Sequence, residues 1–398
     1  MDFSPTGKVN ALLAQITDFM ERLVSPNERA FYEAIEASGN RHHRPQILEE
    51  LKAQAQAAGL WNLFLADPRY GPGLTNVEYA PLAERMGRVL WASEVFNCSA
   101  PDTGNMEILA EFGTSEQKEQ WLMPLLEGRI RSGFSMTEPT SAGSDPTQLQ
   151  TSAVREDASY VIDGRKWFTT GAMHAAVLVV AAVTDARAPR HRRVSFLLVP
   201  TDSPGVTIVR SVPVYGHVSS PGECEVVFDH VRVPTSSLLG GEGEGFAAAQ
   251  ARLGPGRIHH CMRAVGGAER ALELMCRRAA TRTVQGGRLI DKQMIQDFIA
   301  TSRIEIDAAR LMVLHAAWKM DTVGKRAAWP EISMSKVLCA QTACRVIDRA
   351  IQVHGALGVT DDLPLAAMWR YARILRLGDG ADEVHKVKLA EHEVRRWA

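Results

Sequence analysis

Asp379 sits between Gly378 and Gly380 in the stretch LGDGADEVHKVK, residues 377–388, and a charged helical run follows the second glycine. Two readings fit that arrangement. Gly-Asp-Gly is good turn chemistry, because glycine reaches positive φ cheaply and aspartate bonds to nearby backbone. The same carboxylate, presented in a pocket by such a turn, is a general base. A second stretch with chemical content is GFSMTEPTSAGSDPTQLQ, residues 133–150. An extended segment ends there in Thr137, followed by Glu138-Pro139 and a loop of small and hydroxyl residues, Thr140 to Ser144. Its N–H groups and hydroxyls can grip the polar edge of a flat heterocycle or a phosphate, or simply form a Ser/Gly loop. A third is Lys166-Trp167-Phe168-Thr169-Thr170-Gly171, whose aromatic pair either fills core or walls a bound ring.

The elements that must position these residues fall into three patterns. Up to about residue 130, VNALLAQITDFMERLV, PQILEELKAQAQAAGLW and EYAPLAERMGRVL carry apolar residues three and four apart, as helices do. EQKEQWLMPLLEGR, residues 116–129, ends in Gly128-Arg129, a helix stop. The period then drops to two. TSAVRED, YVI and RKWF read as strands, with Asp163-Gly164 as a tight hairpin turn, and VSFLLV, VTIVR and CEVVFDHV continue the pattern. After GGEGEG, residues 240–245, long amphipathic helices return. The last of them, VHKVKLAEHEVRRW, would place Val384, Val387, Ala390, Val394 and Trp397 on one face. Asp382 is expected to cap it. The predicted fold is α+β: an N-terminal helical domain over 1–130, a central antiparallel β domain over 131–240 and a C-terminal four-helix bundle over 241–398.

Bulk properties narrow the function classes. With 398 residues the chain can bury a large core, and a net charge of about −1 with interspersed signs gives no electrostatic footprint for nucleic acid. Its six cysteines (98, 224, 261, 276, 339 and 344) form no CxxC pair, so reduced thiols in a cytoplasmic setting are expected and no metal site is. MDFSPTGKVNALL lacks a signal peptide's apolar core and a transit peptide's arginine bias. The longest apolar stretch, AAVLVVAAV at 175–183, is about half a membrane span, so no membrane association is expected.

Taken together, several passages resemble the acyl-CoA dehydrogenase family of FAD enzymes. They are YGPGLTNVEYAPLAERMG, FSMTEP with AGSD, DGRKWFTTG, EVVFDHVRVP, GEGEGF, RTVQGGRLIDKQMIQDFIA, IQVHGALGV and YARILRLGDG, and they cover nearly the whole chain. The resemblance implies an FAD cofactor and an acyl-CoA substrate. Phe134, Met136 and Thr137 would line the flavin ring, Gly143 and Ser144 would close over cofactor and thioester, and Trp167, Phe168 and Thr169 would wall the dimethylbenzene side and adjacent edge. Arg282, Gln293, Gln352 and Gly355 match the positions serving the FAD pyrophosphate and adenosine of a neighbouring subunit, which implies a homodimer or homotetramer. Arg257 matches the arginine beside the substrate.

By the same resemblance Asp379 occupies the place of the family's base, usually a glutamate, and Gly380 the glycine after it. The family's alternative base position falls on Gly256, which has no carboxylate. The base would remove the thioester's α-proton as the β-hydrogen leaves as hydride, with the Asp379 N–H on the thioester carbonyl and an electron-transfer flavoprotein or similar acceptor downstream. Aspartate is one methylene shorter than glutamate, about 1.5 Å of reach, so either the backbone or the substrate must compensate. RLGPGRIHHCM at 252–262 further resembles the subgroup of kinase-fused members tied to 4-hydroxyacyl-CoA catabolism, with Arg257, His259 and His260 as partners for an extra anionic group. Three alternatives stay open on this fold: elimination or isomerisation of a 4-phosphoacyl-CoA, a nitroalkane oxidase-like flavoenzyme, and a non-catalytic flavin-binding scaffold.

Overall fold

The computed structural model describes residues 2–398. In chain order, helices α1 (Gly7–Phe19), α2 (Glu28–Ala37), α3 (Gln46–Ala57), α4 (Asn76–Met86), α5 (Ala92–Val95), α6 (Asp102–Phe112), α7 (Ser115–Gln117) and α8 (Met123–Leu126) precede the sheet. Strands β1 (Arg131–Ser135), β2 (Ser152–Glu156), β3 (Ser159–Thr170), β4 (Ala175–Val183), β5 (Val194–Pro200), β6 (Val206–Ser211), β7 (Glu223–Pro234) and β8 (Leu238–Leu239) follow. The chain then forms α9 (Gly245–Thr281), the small hairpin β9 (Thr283–Val284) and β10 (Gly287–Arg288), α10 (Gln293–Val323), α11 (Trp329–His354), α12 (Leu365–Leu375) and α13 (Asp382–Trp397). No described helix is long and apolar enough to cross a membrane.

Two compact units emerge. One comprises residues 27–73 and 94–253, the other 2–26, 74–93 and 254–398.

The first unit contains the sheet, in the order β6-β7-β3-β1-β4-β5-β8, with β2 paired to β3 and β4. Its core is built by alternation: Leu178, Val180 and Ala182 of β4, Leu197 and Val199 of β5, and Val226, Phe228, Val231 and Val233 of β7 cluster together. The intervening Val177, Val179, Ala181, Phe196 and Leu198 are buried too, so β4 and β5 are apolar on both faces, which explains the unbroken AAVLVVAAV run. The sheet is mixed, not wholly antiparallel, since β1 and β4 pair in parallel.

The expected Asp163-Gly164 hairpin is not there. β3 runs straight through both residues. Asp163 instead faces a bulge in β7: Ile162 pairs with Val231 and Gly164 with Phe228, so Asp229 and His230 oppose one residue, and the His230 N–H donates to Asp163 Oδ1 at 2.8 Å. The chain reverses one step earlier, between Glu156 and Ser159, where Asp157 takes φ 51°.

The second unit is helical. Thr75 opens α4 with a reciprocal capping box to Glu78. α4 and α9 cross at small residues: a Cβ on Gly266 would fall 1.9 Å from the Glu84 carbonyl oxygen, and one on Gly87 2.2 Å from that of Arg263. Arg310 of α10 ties the crossing to Glu84 at 2.9 Å and also pairs with Glu269 of α9. On α13 the expected apolar face is solvent-exposed at Val387, Val394 and Trp397, while Asp382 and His385 are the buried residues. That helix docks by its first turn.

Candidate active site

Asp379 lies on the turn between α12 and α13. After Leu375, the Leu377 and Gly378 N–H groups both return to the Ile374 carbonyl, at 2.8 and 2.9 Å, closing the helix. Asp379 then takes φ 55° and Gly380 φ 99°. Left-handed backbone at a non-glycine residue is tolerated best by Asp and Asn, and it marks a turn held by its surroundings. The surroundings are specific. Lys336 of α11, almost wholly buried, donates its Nζ to the Leu375 carbonyl. Arg257 Nε donates to the Asp379 carbonyl at 2.8 Å. Arg376 Nε reaches Asp382 Oδ2 at 2.8 Å, and the Asp382 N–H returns to the Arg376 carbonyl at 3.1 Å. Asp382 is therefore the first residue of α13 rather than its cap: its carboxylate is turned inward to Arg376 and Gln341, and Ala381 takes the capping position. Gly380 is required on two counts, its φ and the His385 Nε2 only 2.9 Å from where a Cβ would stand.

The Asp379 carboxylate is neither solvated nor sealed. Its side chain is 25% exposed, and Oδ2 lies 3.4 Å from His260 Nε2. His259, the adjacent residue, points the other way, buried edge-on against Tyr79 with ring centroids 4.8 Å apart. His385, buried by the turn, has its pKa pressed down to about 4 by burial and by the charges of Arg257 and Lys336. Gly256, by contrast, stands on α9 with open space around it.

In the sheet unit, the FSMTEP and KWFTTG stretches meet. The Trp167 N–H donates to the Thr137 carbonyl at 2.8 Å, and Ser135 Oγ and Thr169 Oγ1 share a hydrogen bond of 3.0 Å. Lys166 pairs with Val226 and Thr169 with Cys224, so Trp167 and Phe168 together oppose only Glu225. This bulge, with Phe168 at φ 53°, turns both rings out of the core and leaves them half-buried, packed edge to face at 4.8 Å. Lys166 turns the opposite way. Its ammonium is fully buried and donates to Glu138 Oε1 at 2.8 Å and the Met136 carbonyl at 2.9 Å. Glu138 also accepts the N–H groups of Gln150 and Thr151, at 2.7 and 2.8 Å, which ties down both ends of the small-residue loop. Gly143 and Ser144 are exposed on that loop. Phe134 is sandwiched by the Arg252 guanidinium, 3.7 Å from its ring centroid, and the edge of Phe196. Met136 lines a shallow hollow with Pro146, Phe196 and Phe246. Half-exposed rings beside hydroxyls and main-chain groups fit a flat heterocycle with a polar edge.

Three regions of the chain match known domain families: residues 6–129 the N-terminal domain, 133–231 the middle domain and 243–393 the C-terminal domain of acyl-CoA dehydrogenase. The chain belongs to the acyl-CoA dehydrogenase family. It is 50% identical over 403 residues to FadE2 of Mycobacterium tuberculosis, assigned as an acyl-CoA dehydrogenase, covering all of this chain and 98% of that protein. It is also 50% identical to acyl-CoA dehydrogenase family member 10 of Mus musculus, but there it spans only 38% of the longer protein. A solved structure from Mycobacterium abscessus, assigned to the same enzymes, superposes with a TM-score of 0.96 at 48% identity over 99% of this chain and 100% of that one.

As an acyl-CoA dehydrogenase, the chain has the expected layout: N-terminal helices, a middle β domain and a C-terminal helical bundle. Arg282, Gln293, Gln352 and Gly355 form a separate set in the helical unit, at the end of α9, the start of α10 and the end of α11. All four are exposed, and the three side chains make no hydrogen bond or ion pair among the described residues. Sequence reading missed the buried Lys166–Glu138 pair, Arg252 over Phe134, and Lys336 behind the turn. Burial of a charged residue leaves no periodic signal; the one clue was Lys166 at an inward strand position.

Proposed function

We propose that this acyl-CoA dehydrogenase family member binds FAD and catalyses α,β-dehydrogenation of an acyl-CoA thioester, with Asp379 as the base. The observation that carries the reading is the Asp379 turn: a left-handed aspartate whose main chain is gripped by Arg257 and whose side chain is only 25% exposed. Trp167, Phe168, Thr169, Phe134, Met136 and Thr137 would hold the ring system, with Gly143 and Ser144 closing over it. Arg282, Gln293, Gln352 and Gly355 would serve the diphosphate and adenosine of a neighbouring copy, making a homo-oligomer part of the proposal. When bound, the flavin supplies the acceptor for the β-hydride. This chain's own work is to hold the thioester, with the Asp379 N–H on its carbonyl oxygen, and to take the α-proton onto the Asp379 carboxylate. Arg257 and Gly380 shape the turn that meets the substrate. Exclusion of water by the acyl chain makes so weak a carbon acid accessible to a carboxylate. An electron-transfer flavoprotein is the proposed acceptor and the cytoplasm the proposed compartment.

The test is anaerobic mixing of the FAD-loaded protein with a panel of acyl-CoA thioesters, followed through the flavin's visible band. Bleaching by a thioester and not by nitroethane is expected, and Asp379→Asn should abolish it with FAD still bound. Unchanged bleaching in that variant overturns the base.

One observation favours a second substrate class. Arg257 and Lys336 hold the Asp379 turn, and Arg263 stands further along α9, bonded to His260. Such a cationic setting suits an acyl chain bearing an anionic substituent, as in elimination from a 4-phosphoacyl-CoA. Phosphate release without any electron acceptor would identify that outcome.

A further inference from the structure

We infer that His260 is a positioning residue for Asp379: its Nε2–H is held toward the carboxylate, keeping it ionised and aimed, and Arg263 locks the imidazole in that role. The inference deepens the function proposed above and rests on Asp379 being the base.

Helix α9 carries Arg257, His260 and Arg263 at steps of three, which places them on neighbouring positions of one face. Arg257 holds the Asp379 carbonyl, and His260 Nε2 lies 3.4 Å from Asp379 Oδ2. On the far side of the ring, His260 Nδ1 lies 3.2 Å from an Arg263 guanidinium nitrogen and 3.4 Å from the Tyr371 hydroxyl of α12. A guanidinium has donors only. Nδ1 must therefore accept, and the single proton of the neutral ring is at Nε2, facing the carboxylate. A donor to the charged form of an acid favours that form. With the two side chains only 17% and 25% exposed, water screens the contact weakly.

The neighbouring groups hold hydrogen-bond or ring partners of their own. Arg257 is committed to the main chain and Lys336 of α11 to the Leu375 carbonyl. His385 of α13 bonds Ser333 through Nδ1 at 3.0 Å, and Asp382 is paired with Arg376. His259 faces Tyr79. The same tautomer argues against a relay. Once Asp379 holds the α-proton, Nε2 has no lone pair to receive it unless Nδ1 takes the ring proton and gives up the Arg263 bond. His260 orients and charges the base without carrying its proton.

The sign of the effect follows. Removing the donor raises the pKa of Asp379, and bleaching requires the ionised base, so the acid limb of the rate profile moves to higher pH. The experiment uses FAD-loaded protein and hexanoyl-CoA, or the thioester of the panel that bleaches wild type best, in anaerobic stopped flow across pH. In His260→Phe the acid limb should rise by about one pH unit, and in His260→Gln, whose amide reaches the Nε2 position, most of that rise should disappear. FAD content of each variant, read from its visible spectrum, reports folding. Independently of turnover, ¹⁵N-histidine spectra of the wild-type holoenzyme should contain a neutral Nε2–H resonance that vanishes in His260→Gln. An unmoved limb in His260→Phe, a glutamine variant as shifted as phenylalanine, or an Nδ1–H tautomer overturns the inference. Failure of the underlying reading is distinct: it appears as bleaching that survives Asp379→Asn, or as wild type that no thioester bleaches, and either outcome removes this inference with it.

Discussion

Arg257 Nε donates to the main-chain carbonyl of Asp379 at 2.8 Å, so the candidate base is anchored through its backbone. Lys336 does the same for Leu375, four residues upstream. The turn is thus pinned from α9 and α11, and the side chain of Asp379 is left to face His260. The two cations hold the backbone of the turn, and their charges also act on the Asp379 carboxylate beside them.

Replacement of Arg257 tests the anchor. Arg257→Lys keeps the charge but loses the planar fork, and a lysine cannot place a donor at the Nε position. The rate of flavin bleaching should fall on the order of a hundredfold, the scale of a misplaced reacting group, with FAD content unchanged. Stopped-flow rates equal to wild type would remove the anchoring role.

A longer acid should not help. The backbone at Asp379 is left-handed, at φ 55°, a conformation aspartate tolerates better than glutamate. Asp379→Glu also pushes the carboxylate about 1.5 Å further from a turn already fixed. Bleaching should slow by at least about tenfold, and a faster variant would mean that the turn is not set for the shorter acid.

The crossing of α4 and α9 depends on glycine. Gly266→Ala places a Cβ within 1.9 Å of the Glu84 carbonyl oxygen, backbone against backbone, so the helices must separate. A loss of about 2 kcal/mol is expected, read as a lowered midpoint in chemical unfolding.

Acid stability should report on Glu138. Burial alone would raise its pKa, but the Lys166 ammonium and the Thr151 N–H outweigh that and hold it at about 2, against 4.5 for an ordinary glutamate. The unfolded chain binds this proton more readily, so the contribution is fully present above about pH 4.5 and is lost as pH falls toward 2. Glu138→Gln leaves the Lys166 charge buried without its counterion. It should cost about 3 kcal/mol at neutral pH and flatten the decline of melting temperature in acid relative to wild type. Parallel pH curves for the two proteins would refute the pairing as a source of stability.

The exposed Arg282 gives a test of the cofactor proposal that needs no substrate. Arg282→Ala should weaken FAD retention by about tenfold, the worth of a charge-assisted hydrogen bond, as measured by ultrafiltration of the reconstituted protein. Retention equal to wild type would detach Arg282 from the cofactor.

Much of this molecule was legible in its chain. The helix stop at Gly128 and the turn at Asp379 each follow from local rules about φ and caps. The errors share a cause. Asp163-Gly164 has hairpin chemistry, but a bulge in β7, some 66 residues later, absorbs it into a continuous strand. Asp382 looks like a cap, but Arg376 and Gln341 draw its carboxylate inward.

Sequence alone determined the order of helical and β segments, the small-residue loop, the aromatic pair and the Gly-Asp-Gly turn, because each is written in spacings of a few residues, while the resemblance to a family singled out the Asp379 carboxylate. The tertiary structure decided which of two adjacent histidines meets that carboxylate, which way Lys166 points, and that Trp167 and Phe168 stand clear of the core. Those outcomes depend on partners tens to more than a hundred positions away, and hydrogen bonding at 3 Å is selective over distances that no local periodicity encodes.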